Sequence, residues 1–453
     1  MKAKNLLKKL MALTFVLVMA LSGTVLTACG PDNEDTDETD EVKIVKVWVH
    51  KSEAEDEGMV YSAIAEAFND EKFQTQDGRT IKMKLEFKNS AETLATSIEA
   101  EVLTGGLPDI VAVDAPNVAA YAEDGILESI DEYISAEEKA DYVDSVIEQG
   151  TINGKIYALS AMDAPTGLYY NKSLLNQIGY KAEDYGTVQN PWSWKDLMSA
   201  MKALKAAGLP YKTKLNLGFG GNEGLMYLYS SLVYSAGGTF CGSDEKVAGH
   251  LDSAESIKGI KSLEPLFMPD EDGELWYYNG SNTDALAAGE IAFEIYGPWN
   301  IASIKKSYPE FINSYDIMPV PVYEDENGNK GSAVAGCGSW CFGVTPRAKD
   351  LYSAAVAVKY LTSAFASELL YQSIGTFPTH KSSLASLSEF NSGALLSLST
   401  ILQNVATPRP KMVNYPKLSD GYQAILSYME TMYGTAEYDL EGYIQTQITA
   451  IDR

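Results

Sequence analysis

The chain has 453 residues, with 62 acidic against 35 basic side chains and a formal net charge of −27. That balance excludes the basic footprint needed to bind nucleic acid and discourages close contact with anionic lipid headgroups. The three histidines, His50, His250 and His380, stand far apart, which excludes a histidine-rich zinc site.

Residues 1–28 read as an address. Lys2, Lys4, Lys8 and Lys9 precede an apolar run over 10–21, and Ser22-Gly23 lead to Leu26-Thr27-Ala28-Cys29. A basic start, a short apolar stretch and small residues before a cut mark a secretory signal peptide, and the run is short for a membrane span. Its last four residues resemble a bacterial lipobox. That implies lipidation of Cys29, which becomes the first mature residue, anchored at the outer face of the cell membrane. Loss of 1–28 removes four lysines and no acid, leaving a net charge of −31. Residues 29–41 carry seven carboxylates after Pro31, too polar to offset the entropy of ordering, and read as a self-repelling tether. The remaining cysteines, Cys241, Cys337 and Cys341, are odd in number and are expected as free, partly buried thiols.

The roughly 410 residues that follow exceed what one hydrophobic core supports, which predicts two lobes. Residues 42–49 form a β-rich apolar run; 58–70 place Val60, Ile64, Ala67 and Phe68 at helical spacing. Residues 80–87 alternate as a strand with one wet face, 91–103 suit a helix closed by Gly105-Gly106, and 109–113 are a short apolar strand buried on both sides. A helix over 116–123 ends near Gly125. This alternation indicates an α/β lobe with a largely parallel sheet. Ligands of such sheets bind beyond the carboxyl ends of the strands, which singles out residues 50–53, 88–90 and 114–117. Asp114 reads equally as a cap of the helix begun by Pro116 and as a ligand contact.

A second α/β pattern follows: a strand at 168–170, a helix from Asn171 to Gly179, and a helix over 194–207 with Ser193 as N-cap. Next come an apolar helix over 225–236, a helix over 281–288, a strand over 290–295 and a helix entered through Gly297-Pro298-Trp299-Asn300. Prolines extend 316–321, read as a crossing between lobes. Asn327-Gly328 marks a hairpin; helices are expected over 354–361 and 424–432. Enzyme signatures fail. Glu223 and Cys341 occupy the third glycine of two nucleotide-loop patterns, and neither a G-x-S-x-G elbow nor H-E-x-x-H is present. No cofactor is expected.

Several segments together resemble the extracellular solute-binding proteins of bacterial ABC importers, the branch with the maltose-binding proteins. They are Pro108-Asp109-Ile110-Val111 with Tyr121; Asn153-Gly154-Lys155-Ile156-Tyr157; Gly167-Leu168-Tyr169-Tyr170-Asn171-Lys172; Trp192-Ser193-Trp194-Lys195-Asp196-Leu197; Ala288-Gly289-Glu290-Ile291-Ala292-Phe293 with Gly297-Pro298-Trp299; and Gly375-Thr376-Phe377-Pro378. The resemblance implies the type II periplasmic-binding-protein fold, two α/β lobes around a hinged cleft, with lobe 1 at 42–158 and 322–385 and lobe 2 at 159–321 and 386–453. It implies a monomer without catalytic activity that captures a mono- or oligosaccharide and delivers it to a membrane permease. Trp299 matches the family's stacking tryptophan, with Asn300 beside it. Asp114 and Asn117 fall on the cleft turn, and Ser52 and Glu53 on the loop after the first strand. Gly338, Ser339 and Trp340 match a glycine-rich cleft segment, Asn222 and Glu223 the reach of the second lobe, and Tyr422 a further aromatic platform. Val113 and Pro116 stand where maltose binders carry an aromatic and an acid, which argues against maltose itself. A polyamine, a phosphorylated polyol, or an exported glycoside hydrolase with paired carboxylates are the competing readings.

Overall fold

The computed structural model describes residues 41–209, 214–217, 224–278 and 284–453. Its strands, in chain order, are β1 (Val42–Val49), β2 (Thr80–Phe87), β3 (Ile110–Asp114), β4 (Thr151–Ile152), β5 (Lys155–Ile156), β6 (Ala158–Ser160), β7 (Gly167–Asn171), β8 (Leu215–Asn216), β9 (Tyr277–Tyr278), β10 (Phe293–Tyr296), β11 (Tyr315–Met318), β12 (Ala335–Cys337), β13 (Trp340–Val344) and β14 (Ala406–Pro408). Two five-stranded sheets result, β2-β1-β3-β13-β6 and β11-β7-β10-β8-β9. Each is the centre of one lobe.

In the first sheet β1 runs parallel to β2 and β3, while β13 lies antiparallel between β3 and β6. The alternating strand takes the edge: Ile81 and Met83 are buried and Lys82 and Lys84 exposed. The continuous apolar strand β3 takes the interior, buried from Ile110 to Val113. This follows from pleating, since only an interior strand covered on both faces can bury successive side chains. In the second sheet β7 is antiparallel to β10 and β11, and β10, β8 and β9 are parallel.

Most predicted helices form where the apolar spacing put them, including Asp56–Glu71, Ala91–Thr104 and Trp194–Ala206. Ser193 accepts from the Asp196 N–H and Asp196 reciprocates, a capping box. Two expectations change. Residues 284–289 make turns in place of helix, and 281–283 lie outside the described residues. Residues 315–318, read as part of a crossing, are the edge strand β11 of the second sheet. Pro319 and Pro321 end that strand without preventing it, because Asp316 to Met318 keep their donors for the ladder.

The chain passes between the lobes at 161–166, through β12 and again near 386, and β14 lies against β12. These segments lie side by side: β12 pairs in parallel with β14, and the Thr166 N–H donates to Gly336 O at 2.9 Å. Gly336 has no room for a Cβ against the Tyr227 carbonyl, so backbone packs directly on the helix Gly224–Ser235. One core fills the first lobe and continues onto one face of the second sheet, at Tyr169, Tyr315 and Ile317. The other core covers the opposite face, at Leu168, Tyr170, Phe293 and Ile295.

Candidate functional site

Strand direction fixes which residues can meet. In the first sheet β1, β2, β3 and β6 all end at one edge, and β13 begins there with Trp340 opposite Asp114. In the second sheet β8, β9 and β10 end at one edge, where Tyr296 faces Gly167 at the start of β7. Residues 161–166 join these two edges directly. The carboxyl ends of both sheets therefore border one crevice, the position in which open α/β sheets bind ligands.

On the first-lobe side, Asp114 closes β3 without capping the turn after it. Its carboxylate instead accepts two bonds from Arg409, Nη2 to Oδ1 at 2.6 Å and Nη1 to Oδ2 at 3.3 Å. Asn117, three residues on, is partly exposed and makes no side-chain hydrogen bond among the described residues. Trp340 is half-buried, with His50 stacked on one face at 3.7 Å and 5°. The buried His50 places Nε2 3.2 Å from Glu57 Oε1. Burial lowers the His50 pKa and outweighs Glu57, which keeps the imidazole neutral. Ser339 is buried and shares a hydrogen bond with Ser160 at 2.7 Å, and Gly338 packs against the Arg409 guanidinium. Ser52 is partly exposed and Glu53 exposed, on the turn that leads to the helix Asp56–Glu71. At the end of β2 the Lys88 ammonium sits 3.6 Å over the Trp48 ring and 3.5 Å from Glu86 Oε2.

On the second-lobe side Trp299 opens the helix Trp299–Ser307 and is 40% exposed, the largest aromatic surface of the described residues. Tyr227 stacks beneath it at 5.8 Å and Tyr296 meets its edge at 5.4 Å. Asn300 is buried and turned inward: its Nδ2 donates to Glu294 Oε2 at 2.9 Å, while Asn216 donates to Oε1 at 2.8 Å. Burial raises the Glu294 pKa to about 7 against these two donors. Asn300 thus braces the start of Trp299's helix from below. Tyr422 departs from its expected role as an aromatic platform. It is fully buried in the second core, edge-on to Phe240, with its hydroxyl donating to Tyr229 O at 2.8 Å. Its helix, Tyr415–Met432, turns the Leu418, Tyr422 and Ile425 face inward, so the ring is a packing element. Asn222 and Glu223 lie outside the described residues, as does Cys29.

The structure thus brings Asp114, Asn117, Trp340 and Trp299 to the borders of one crevice and adds residues the sequence reading missed. Tyr227 and Tyr296 support Trp299; His50 backs Trp340; Arg409 and the buried Asp163 occupy the hinge. Asp163 accepts from Ser145 Oγ at 2.5 Å and from its own neighbour's N–H, on Ala164, at 2.8 Å, and burial raises its pKa. Arg409 stands 295 residues from Asp114, so no local spacing could have linked them.

Comparison with known proteins agrees with this architecture. A lactose-binding protein of Rhizobium radiobacter is 24% identical over 61% of this chain and 61% of its own length. A maltotriose-binding protein of Pyrococcus abyssi is 24% identical over 50% of this chain and 45% of its own. Three Brucella proteins match at 22% identity, and the chain spans about half of their length, 53%. Among solved structures, the sugar-binding protein MalE of Xanthomonas citri superposes with a TM-score of 0.74 at 17% identity, over 90% of this chain and 96% of that one. A cyclic alpha-maltosyl-1,6-maltose binding protein of Arthrobacter globiformis gives 0.71 at 20% identity, over 90% and 98%. The fold is that of type II periplasmic binding proteins, which are binding proteins and not enzymes. The model of the bacterial extracellular solute-binding protein family matches residues 54–366, and this chain belongs to that family.

Proposed function

We propose that the protein captures a carbohydrate in the crevice between its lobes and hands it to the permease of an ABC importer. The observation that carries this reading is the exposed Trp299 face on one border of a crevice whose other border holds Asp114, Asn117 and Trp340. An indole face suits the C–H face of a pyranose, and carboxylate and amide groups suit its hydroxyls. Lactose- and maltotriose-binding relatives support the same ligand class. A ligand that touches both borders binds the closed state better and shifts the population toward it.

In this reading the lobes are residues 42–160 with 338–385, and 167–334 with 386–453. The limits follow β6 into the first sheet and the 324–330 hairpin into the second lobe, where Glu324 accepts from Ser193 Oγ at 2.6 Å. Cys29 carries the lipid anchor, 30–41 is the tether, and the protein works as a monomer outside the cell membrane. Arg409 is taken up by Asp114, so a phosphorylated polyol finds no ready anion seat there. The test is a thermal-shift screen with maltose, maltotriose, lactose and monosaccharides. A sugar at a hundredfold excess over its Kd should add roughly 2.7 kcal/mol of stability. No shift with any sugar, alongside a shift with a polyamine, would overturn the carbohydrate reading.

A further inference from the structure

Three separate parts of the fold meet at one guanidinium. Arg409 follows β14, the strand that pairs with the second passage, β12. Its two Nη atoms hold both oxygens of Asp114 on the first-lobe border of the crevice. Gly338, at the end of the second passage, packs so closely on it that a Cβ there would stand 2.7 Å from Nη2. Asp163, in the first passage, lies near enough to feel Gly338 through a backbone hydrogen bond. The pair is well shielded, with the Arg409 side chain 6% exposed and that of Asp114 23%.

We infer that Arg409 is a positioning residue for ligand capture: it sets the plane of the Asp114 carboxylate and ties that plane to the hinge. The inference rests on the reading above in one respect only, that Asp114 contacts the ligand. A carboxylate offers about four lone-pair sites, and a bidentate arginine occupies two. The two left over are available to a ligand, since the Asp114 side chain at the crevice border is 23% exposed. Because the guanidinium is planar and rigid, it fixes those lone pairs in direction as well as place. Because it is carried next to β14, in the second lobe and paired with the passage β12, while Asp114 lies in the first lobe, rotation of the lobes acts on the guanidinium and on the carboxylate with it. A lysine would neutralise Asp114 equally well but would leave the carboxylate free to turn.

The test compares Arg409→Lys and Arg409→Gln with Asp114→Asn in the full chain. Binding of the sugar that shifts the wild type most is measured by calorimetry and stopped flow. Spin labels at the exposed positions Glu123 and Glu310 report the lobe–lobe distance distribution. Arg409→Lys should stay folded, weaken binding roughly tenfold through faster release, and broaden the distance distribution of the unliganded protein. Asp114→Asn should weaken binding to a similar degree and broaden that distribution as well. Arg409→Gln should do at least as much as lysine on both readouts. Wild-type affinity in Arg409→Lys would overturn the inference while leaving the carbohydrate reading intact. Should no sugar bind the wild type, the carbohydrate reading falls, and the unliganded distance distribution still decides: an unchanged distribution in both arginine variants overturns the hinge coupling.

Discussion

The two borders of the crevice are built on opposite principles. The first-lobe border is a set of charges already paired within the protein: Asp114 with Arg409, Glu57 with Lys51, and Lys88 over Trp48. The second-lobe border is an aromatic stack, Trp299 on Tyr227 and Tyr296, with a buried carboxyl braced by two amides below it. Paired charges in a shielded place give direction, because each hydrogen bond holds its partner in one geometry. Stacked rings give contact area with little directional demand. The first lobe is suited to choosing the ligand's orientation and the second to supplying its adhesion. Glycines serve both: Gly338 lets the guanidinium approach, and Gly336 lets the passages pack on the second lobe.

Four experiments test this contrast. The largest effect belongs to an aromatic of the second lobe that is not on the border. Tyr422→Ala should destabilise the unliganded protein by about 3–5 kcal/mol, read by urea denaturation; a loss confined to ligand affinity would return Tyr422 to the crevice. Trp299→Ala should do the reverse. Its exposure predicts a nearly unchanged midpoint without ligand, and loss of sugar contact should cost about 2–3 kcal/mol in affinity.

The third experiment probes the buried carboxyl. Glu294 has a folded pKa raised from 4.5 to about 7. The folded state thus holds its proton more tightly, and the associated stability is full below pH 4.5 and lost as pH rises through 7. Replacing it with glutamine should flatten that part of the stability profile. The variant should gain about 3 kcal/mol relative to wild type between pH 4 and pH 8. Parallel profiles would mean that the carboxyl is not strained by burial. The smallest effect is expected on the first-lobe border at Ser90. Its side chain accepts from the Thr93 N–H and caps the helix Ala91–Thr104. Ser90→Ala should cost about 0.5–1 kcal/mol of stability and leave sugar affinity unchanged. A drop in affinity would make the second cleft turn part of the ligand site.

The contrast also shows why some of the site was legible beforehand and some was not. Trp299 stood out because, after Gly297-Pro298, it matches the stacking tryptophan of the family that the sequence resembles. Asp114 was visible from its place beyond the carboxyl end of an apolar strand, but its spacing could not separate cap from ligand contact; in the structure it does not cap and pairs with Arg409, 295 residues away. Tyr422 misled because an aromatic on an amphipathic helix looks the same whether its stripe faces a core or a crevice. β13 went unseen: Trp340-Cys341-Phe342-Gly343-Val344 is short, holds a glycine and shows no alternation, since both of its faces are covered. The 315–318 strand was taken for a passage because prolines follow it closely.

Local physics determined a great deal here. Side-chain period and turn chemistry set the type and place of most strands and helices, and their alternation set two α/β lobes, because a strand or helix with an apolar face must bury it nearby. Composition set the strongly negative net charge of −27, since charge needs no partner to repel. What only the tertiary structure decided is which side chains meet across the passages. The bonds between Arg409 and Asp114, between Asn300 and Glu294, and the stacking of His50 on Trp340 depend on chain directions over hundreds of residues. Pairing strengths of that kind act over a few ångströms, and sequence spacing carries no record of such distances until the sheets are laid side by side.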